Sequence, residues 1–190
     1  MVARQIAYAA LVGGVVAQRL SEMRTSRRHQ AALVEQGATV HATRQLPAVV
    51  ALHAGWLAAS LAEGTHQLRR PADPARVALG LAGLAAGHAL CLASMRELGD
   101  RWTASVVVVP GAQRIRTGIY RHLRHPNDLG VALEVAALPL VAGAWRTATL
   151  ASALNAVFLR ARIRAEDAAL DVAQPRPPDQ RWRRLAVRVG

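Results

Sequence analysis

The chain has 190 residues, one domain's worth of sequence, and 52% hydrophobic against 19% charged residues excludes wholesale disorder. Its 24 basic residues are all Arg and give a net charge of +12, but an aromatic content of 4% leaves little for nucleic-acid bases to stack on. The lone Cys91 lies in an apolar run, which excludes an internal disulfide and reads as a small core residue.

A bilayer core takes about 20 apolar residues per helix, so the stretches without charge set the architecture. The first apolar segment, residues 5–18, follows Arg4 and leads into Gln18, Arg19 and a long basic stretch. It lacks the small-residue junction of a cleaved signal and reads as a retained helix. The second and third segments, residues 45–62 and 77–93, carry no charge. Within the third, Gly83 and Gly87 have the spacing that lets a neighbouring backbone approach closely, here within the chain. Residues 94–128 are too polar to span. Their β-branched run 105–109, the Pro110-Gly111 turn and the alternating run 113–116 predict a small cytosolic hairpin. Residues 129–159 hold only Glu134 and Arg146 and are too long for one span. Gly143, Trp145 and Arg146 near their middle predict two short helices joined as a tight hairpin. From Gln174 onward a Pro- and Arg-rich tail is expected to lie on lipid headgroups through Trp182 and its arginines. The fold expected is an all-α integral membrane protein with about five transmembrane helices and a small cytosolic hairpin before the fourth, residues 1–190 forming one domain.

Arginine placement orients this layout. The connections at 18–45, 94–128 and 160–190 hold 19 Arg, and the alternate ones hold 5. The positive-inside rule then places the N-terminus outside and the C-terminus in the cytosol of the cytoplasmic membrane. A basic face beside anionic lipid accounts for the net charge, so membrane lipid is the expected partner and nucleic acid is not. Three polar clusters fall on the cytosolic side: residues 19–35, residues 120–127, and residues 160–167. The short fourth–fifth hairpin brings the last two together, and Arg162 and Glu166 share one helical face. Pro126 starts the fourth helix, whose free N–H groups favour an anionic ligand. The seven histidines are scattered rather than set at ligand spacing, and no metal is expected. Glu134 sits two turns inside the fourth helix, where a carboxylate is costly. It either faces a polar site or pairs with a nearby Arg. His53 and His88, near the middle of their helices, read as partners in inter-helix hydrogen bonds.

The runs Leu98-Gly99-Asp100-Arg101-Trp102-Thr103, Val109-Pro110-Gly111 and Gly118-Ile119-Tyr120-Arg121-His122-Leu123-Arg124-His125-Pro126-Asn127 resemble the isoprenylcysteine carboxyl methyltransferase family. That family pairs a G-x-Y-R-x-x-R-H-P motif before a helical hairpin with R-I-x-x-E-E-x-x-L after it. Here the second motif reads Arg162-Ile163-Arg164-Ala165-Glu166-Asp167-Ala168-Ala169-Leu170. The resemblance covers about residues 75–170. The N-terminal part, with Arg19-Leu20-Ser21-Glu22 and Arg27-Arg28-His29, is similar to a bacterial branch that methylates alkylpyrones and alkylresorcinols.

The resemblance implies transfer of a methyl group from S-adenosyl-L-methionine, entering from the cytosol, to an oxygen of a lipophilic acceptor entering from the bilayer. By the same resemblance Tyr120, Arg124, His125, Pro126 and Asn127 wrap the cofactor. Asp167 and Glu166 hold its ribose hydroxyls or ammonium. Arg162 anchors the cofactor carboxylate or the acceptor oxygen, so Arg162 and Glu166 are the expected catalytic pair. Trp102 and Glu134 are the expected acceptor contacts. Ile119 stands where the family has Pro, and Asp128 where it has an aromatic. The tail has prolines in place of the family's aromatic extension. These departures count against prenylated protein substrates. The alternatives are a protein-S-isoprenylcysteine carboxyl methyltransferase and a non-catalytic membrane scaffold.

Overall fold

Helix starts in this chain are written by proline and by capping carboxylates. A computed structural model describes residues 1–41 and 45–173. The elements in chain order are α1 (Val2–Glu35), β1 (Thr39–His41), α2 (Leu46–Gln67), α3 (Pro74–Leu98), β2 (Val106–Val108), α4 (Pro126–Ala142) and α5 (Trp145–Ala173). Short 3-10 turns cover Gly99–Arg101 and Gly118–Arg121. Proline opens α2, α3 and α4 within their first two positions, where its missing N–H costs nothing. Asp73 caps α3, accepting from the amides of Ala75 at 3.0 Å and Arg76 at 3.3 Å. Glu63 of α2 does the same for α5 from a distance. It accepts from the Thr147 amide at 2.8 Å and from the Thr147 hydroxyl at 2.7 Å.

Among the described residues, Leu46–Gln67 and Pro74–Arg101 are the two helical stretches long and apolar enough to cross a membrane. Large apolar side chains cover the outside of the bundle, with Leu79 and Leu150 exposed to 69% and 67%. Aqueous solvent would not favour such a surface, and lipid would. The first helix differs from expectation. It runs through Glu35, 34 residues or about 50 Å at ~1.5 Å per residue, well beyond the apolar stretch that announces it.

Small residues bring α3 and α4 together. A Cβ at Gly87 would lie 2.7 Å from the Gly130 carbonyl oxygen, and one at Gly130 would lie 2.7 Å from the Gly87 oxygen. Gly80 faces the Val141 backbone in the same way, at 2.9 Å from its nitrogen. Gly83, one turn from Gly87, faces the Ala137 Cβ at 3.0 Å, so the glycine spacing serves packing within the chain. Around this seam the core gathers Tyr8, Val12, Trp56, Val135, Leu138 and Ala142, and Cys91 is buried as expected. Gly143, in the left-handed region at φ 80°, ends α4. Only Ala144 separates it from α5, so the two helices form a tight pair.

The predicted hairpin is replaced by a different pairing, and the fold is not purely helical. β2 pairs antiparallel with β1, with Thr39 opposite Val108 and His41 opposite Val106. The Pro110-Gly111 turn is present, with Gly111 at φ 73°, but residues 113–116 form no strand. Arg101 donates instead to the Gln113 carbonyl at 2.9 Å, so this stretch turns toward the 3-10 turn after α3. The expectation of a Pro- and Arg-rich tail from Gln174 lies outside the described residues.

The α3–α4 seam leaves no room for a side chain at its closest points. Gly87→Leu and Gly130→Leu are each expected to cost at least about 1–3 kcal/mol and to lower the melting temperature in detergent. Gly13→Ala, where a Cβ meets nothing within 4 Å, is expected to be neutral or slightly stabilising in the same melts.

Candidate active site

Pro126 opens α4 and leaves His125 at the N-cap and Asp128 in the first turn, where a carboxylate faces the positive end of the helix. The turn at Gly143 sends α5 back along α4, and its polar end meets this opening. Charges of alternating sign then run across the gap. Arg124 pairs with Asp167, and Asp167 Oδ1 lies 3.3 Å from His125 Nε2. His125 Nδ1 stands 3.8 Å from Asp128 and 3.9 Å from Glu166. Arg162 Nε lies 3.3 Å from Asp128 Oδ1, and its Nη1 donates to the Ala104 carbonyl.

These groups face a cavity of about 200 Å³. Its apolar lining includes Leu33, Leu98, Val106, Val108 and Ile115. The stretch 102–108 crosses it as a strap fixed at several points. The His29 Nδ1–H donates to the Trp102 carbonyl at 2.9 Å, and the Ala104 amide donates to Ser26 Oγ at 2.8 Å. The buried Trp102 indole donates to Asn127 Oδ1 at 3.2 Å, tying the strap to the start of α4.

The electrostatics follow from this crowding. Burial works against the His125 imidazolium, but the Asp167 hydrogen bond and the charges of Glu166 and Asp128 outweigh it and hold its pKa above the ordinary 6.5. Burial also pushes the Glu166 carboxyl up, against the opposing pull of Arg162. Asp167 is held below the ordinary carboxylate range, because hydrogen bonds from His125 and Arg124 exceed its burial cost. Burial raises the Tyr120 phenol.

Of the residues expected from the sequence, Arg162, Glu166, Tyr120, Arg124, His125, Asn127, Asp167 and Trp102 all line the cavity. Pro126 does not. It is fully buried, and its part is to start α4. Glu134 is also elsewhere. It is fully buried in α4, paired with Arg19, accepting from Gln18 Nε2 at 3.3 Å and 3.5 Å from His88 Nδ1. The ion pair is therefore the alternative the structure places at Glu134, and His88 meets α4 there. His53 bonds within its own helix, to the Val49 carbonyl at 2.8 Å. Asp128 is the site residue the sequence reading passed over. It stood out only as a departure from a family pattern, although an acidic residue two positions after an opening proline is a helix-terminus signal.

His125, Asp128 and Glu166 each offer a ligand atom, all within 4.8 Å of one another. Arg162 already sits against Asp128, so a metal there would compete with a fixed guanidinium.

A raised histidine pKa stabilises the fold fully below the unfolded value and loses that contribution as pH rises through the folded one. The melting temperature in detergent is therefore expected to fall as pH rises above about 6.5. In His125→Gln the part of that fall due to this residue is expected to vanish. Equal slopes in the two proteins would contradict the charge assignment.

The description "Isoprenylcysteine carboxyl methyltransferase (ICMT) family" belongs to the family model matching residues 78–172. A protein of Bacillus subtilis described as "Uncharacterized protein YpbQ" is 32% identical over 166 residues, spanning 84% of this chain and 94% of that one. An "Uncharacterized protein" of Haemophilus influenzae is 26% identical over 163 residues, spanning 85% of this chain and 94% of that one. No solved structure matches the chain. The matched stretch begins in α3, includes the strap and α4, and ends in α5 beyond Arg162, Glu166 and Asp167. With its two apolar helices and a site assembled inside that stretch, the chain is a membrane protein and belongs to the isoprenylcysteine carboxyl methyltransferase family, a family of methyltransferases.

Proposed function

We propose that this protein is an S-adenosyl-L-methionine-dependent O-methyltransferase of the cytoplasmic membrane, acting on a lipophilic polyketide of the alkylpyrone or alkylresorcinol class. One observation carries the reading. Two separated motifs, at 120–127 and 162–167, converge on one cavity whose polar wall alternates guanidinium, imidazole and carboxylate. A plain basic collar around the helix ends would leave its arginines exposed and interchangeable. Here Arg160 and Arg164 are exposed, whereas Arg162 is half-buried and engaged with Asp128 and the strap.

The donor set fits the cofactor. S-adenosyl-L-methionine supplies, when bound, a methyl group activated by a positively charged sulfur. Glu166 and Asp167 are placed to meet an ammonium or ribose hydroxyls, and Arg124 to meet a carboxylate. Tyr120, Asn127 and the apolar strap side chains Val106 and Val108 wall the cavity and exclude water. That favours a displacement needing alignment and desolvation more than a strong catalyst. Arg162, held by Asp128 and the Ala104 carbonyl, is suited to meet the cofactor carboxylate or the acceptor oxygen, because a planar guanidinium matches both. The arginine asymmetry supports an N-terminus outside and a cavity and C-terminus facing the cytosol, with the acceptor arriving from the bilayer.

Arg162→Lys keeps the charge and loses the fork, and is expected to lower turnover of a long-chain alkylpyrone or alkylresorcinol by about 100-fold or more. Arg160→Lys and Arg164→Lys are expected to stay within about twofold of wild type, since exposed ion pairs contribute little. The measurement is methyl incorporation into lipid by the three variants at matched expression. Equal activities would remove Arg162 from the reaction, and a wild type inactive on both lipids but active on a prenylated cysteine would replace the acceptor.

A further inference from the structure

Among the described residues, the charges that line the cavity are unequal in number. Five arginines line it, Arg101, Arg114, Arg116, Arg124 and Arg162, against three carboxylates, Asp128, Glu166 and Asp167. Three of the five have acidic partners: Arg114 has Asp171 at 2.7 Å, Arg124 has Asp167, and Arg162 has Asp128. Arg101 and Arg116 have none among the described residues. The Arg101 guanidinium donates to a neutral carbonyl, that of Gln113. Arg116 is half-buried and makes no ion pair or hydrogen bond with any described residue.

A methyl donor with a cationic sulfur, an ammonium and one carboxylate brings one more net positive charge into this space. Arg101 and Arg116 both line this partly buried cavity, and neither guanidinium has an acidic partner among the described residues to offset that charge. An anion relieves that excess, and a guanidinium is the side chain best matched to a planar oxyanion.

We propose that Arg101 and Arg116 form an anion subsite that selects an acceptor whose head group carries an ionised oxygen, an acidic enol or phenol on a hydrocarbon tail. The inference rests on the reading of the cavity as the place of transfer to a lipophilic oxygen. The acceptor loses its proton to water before it binds, and the subsite retains the oxyanion, so no side chain has to act as general base. Methylation forms one O–C bond and breaks one C–S bond, whose electron pair stays on sulfur. The oxyanion becomes a neutral ether and the sulfonium a neutral thioether. The product thereby loses the charge that held it, and the subsite favours its release.

The test compares binding of a long-chain 4-hydroxy-2-pyrone, ionised at pH 8, with its neutral 4-methoxy ether by equilibrium dialysis against the detergent-solubilised full chain, without methyl donor. Wild type is expected to prefer the ionised lipid by about tenfold or more. Arg116→Gln breaks no contact with a described residue and should fold as wild type. It is expected to lose most of the preference, and Arg101→Gln/Arg116→Gln essentially all of it, with S-adenosyl-L-methionine affinity unchanged within about twofold. Equal affinity for the two lipids in wild type, or a preference that survives the double substitution, overturns the subsite. Failure to bind either lipid overturns both the subsite and the acceptor class. A tenfold preference in a protein that does not bind S-adenosyl-L-methionine supports the subsite and refutes the methyltransferase reading.

Discussion

The close contact of α3 and α4 at Gly87 and Gly130 is the constraint from which the rest of the molecule takes its position. Each glycine lets the other's carbonyl oxygen approach to where a Cβ would stand, so the two helix backbones touch without side chains between them. That fixes the depth and rotation of α4 against α3, and hence the place of its first turn. Cys91, on the same face of α3, has its sulfur 3.7 Å from the Asn127 carbonyl, and Asn127 in turn accepts from Trp102. The opening of α4, the strap and the end of α3 are therefore set by one backbone contact. The Gly143 turn allows α5 no slack, and the end of α5 that carries Arg162 and Glu166 comes back to that opening.

A second tie holds α1. Glu134, fully buried in α4, meets Arg19, which also pairs with Glu22 at 2.7 Å, and Tyr8 donates to the Leu138 carbonyl at 3.3 Å. In an apolar bundle a buried carboxylate without a partner would cost several kcal/mol, about 3–5 where such a pair is broken. The pair thus favours one placement of α1 along α4 over its neighbours. Further along the same helix, Ser26 and His29 hold the strap. The ion pair inside the bundle and the hydrogen bonds at the cavity are two points on one rigid rod.

The helices were legible because lipid demands long charge-free runs, and those runs stand out in a chain rich in arginine. The extent of α1 was not legible by that rule. Its second half, with Arg19, Glu22, Arg24, Arg27 and Arg28, is helical without being apolar throughout, and hydropathy reports only the part that faces lipid. The strand pairing was missed for another reason. The run around Val107 and the turn after it are local signals for a hairpin, whereas its actual partner, Val40, lies far back in the chain and presents only three residues. At the site, Arg124, His125, Arg162, Glu166 and Asp167 of the paired motifs all line the cavity. Pro126 shares their motif but starts α4, and motif membership does not separate residues that build a turn from residues that line a wall. The charge of Asp128 matters only once α5 has delivered Arg162 beside it, which no local pattern announces.

The strap gives the molecule a boundary that differs from the one drawn by family resemblance. The match begins at residue 78, yet the strap inside it is held from outside it, by Ser26, by His29 and by the β1 strand at Thr39–His41. Leu33, also outside the match, lines the cavity. The half of the sequence matched by the family model carries the charged groups of the cavity, and the stretch before it supplies the closure around them. The two are not separable modules. An exchange of the first 41 residues with those of a relative would therefore have to preserve the fit to residues 102–108, at Ser26, His29 and Thr39–His41.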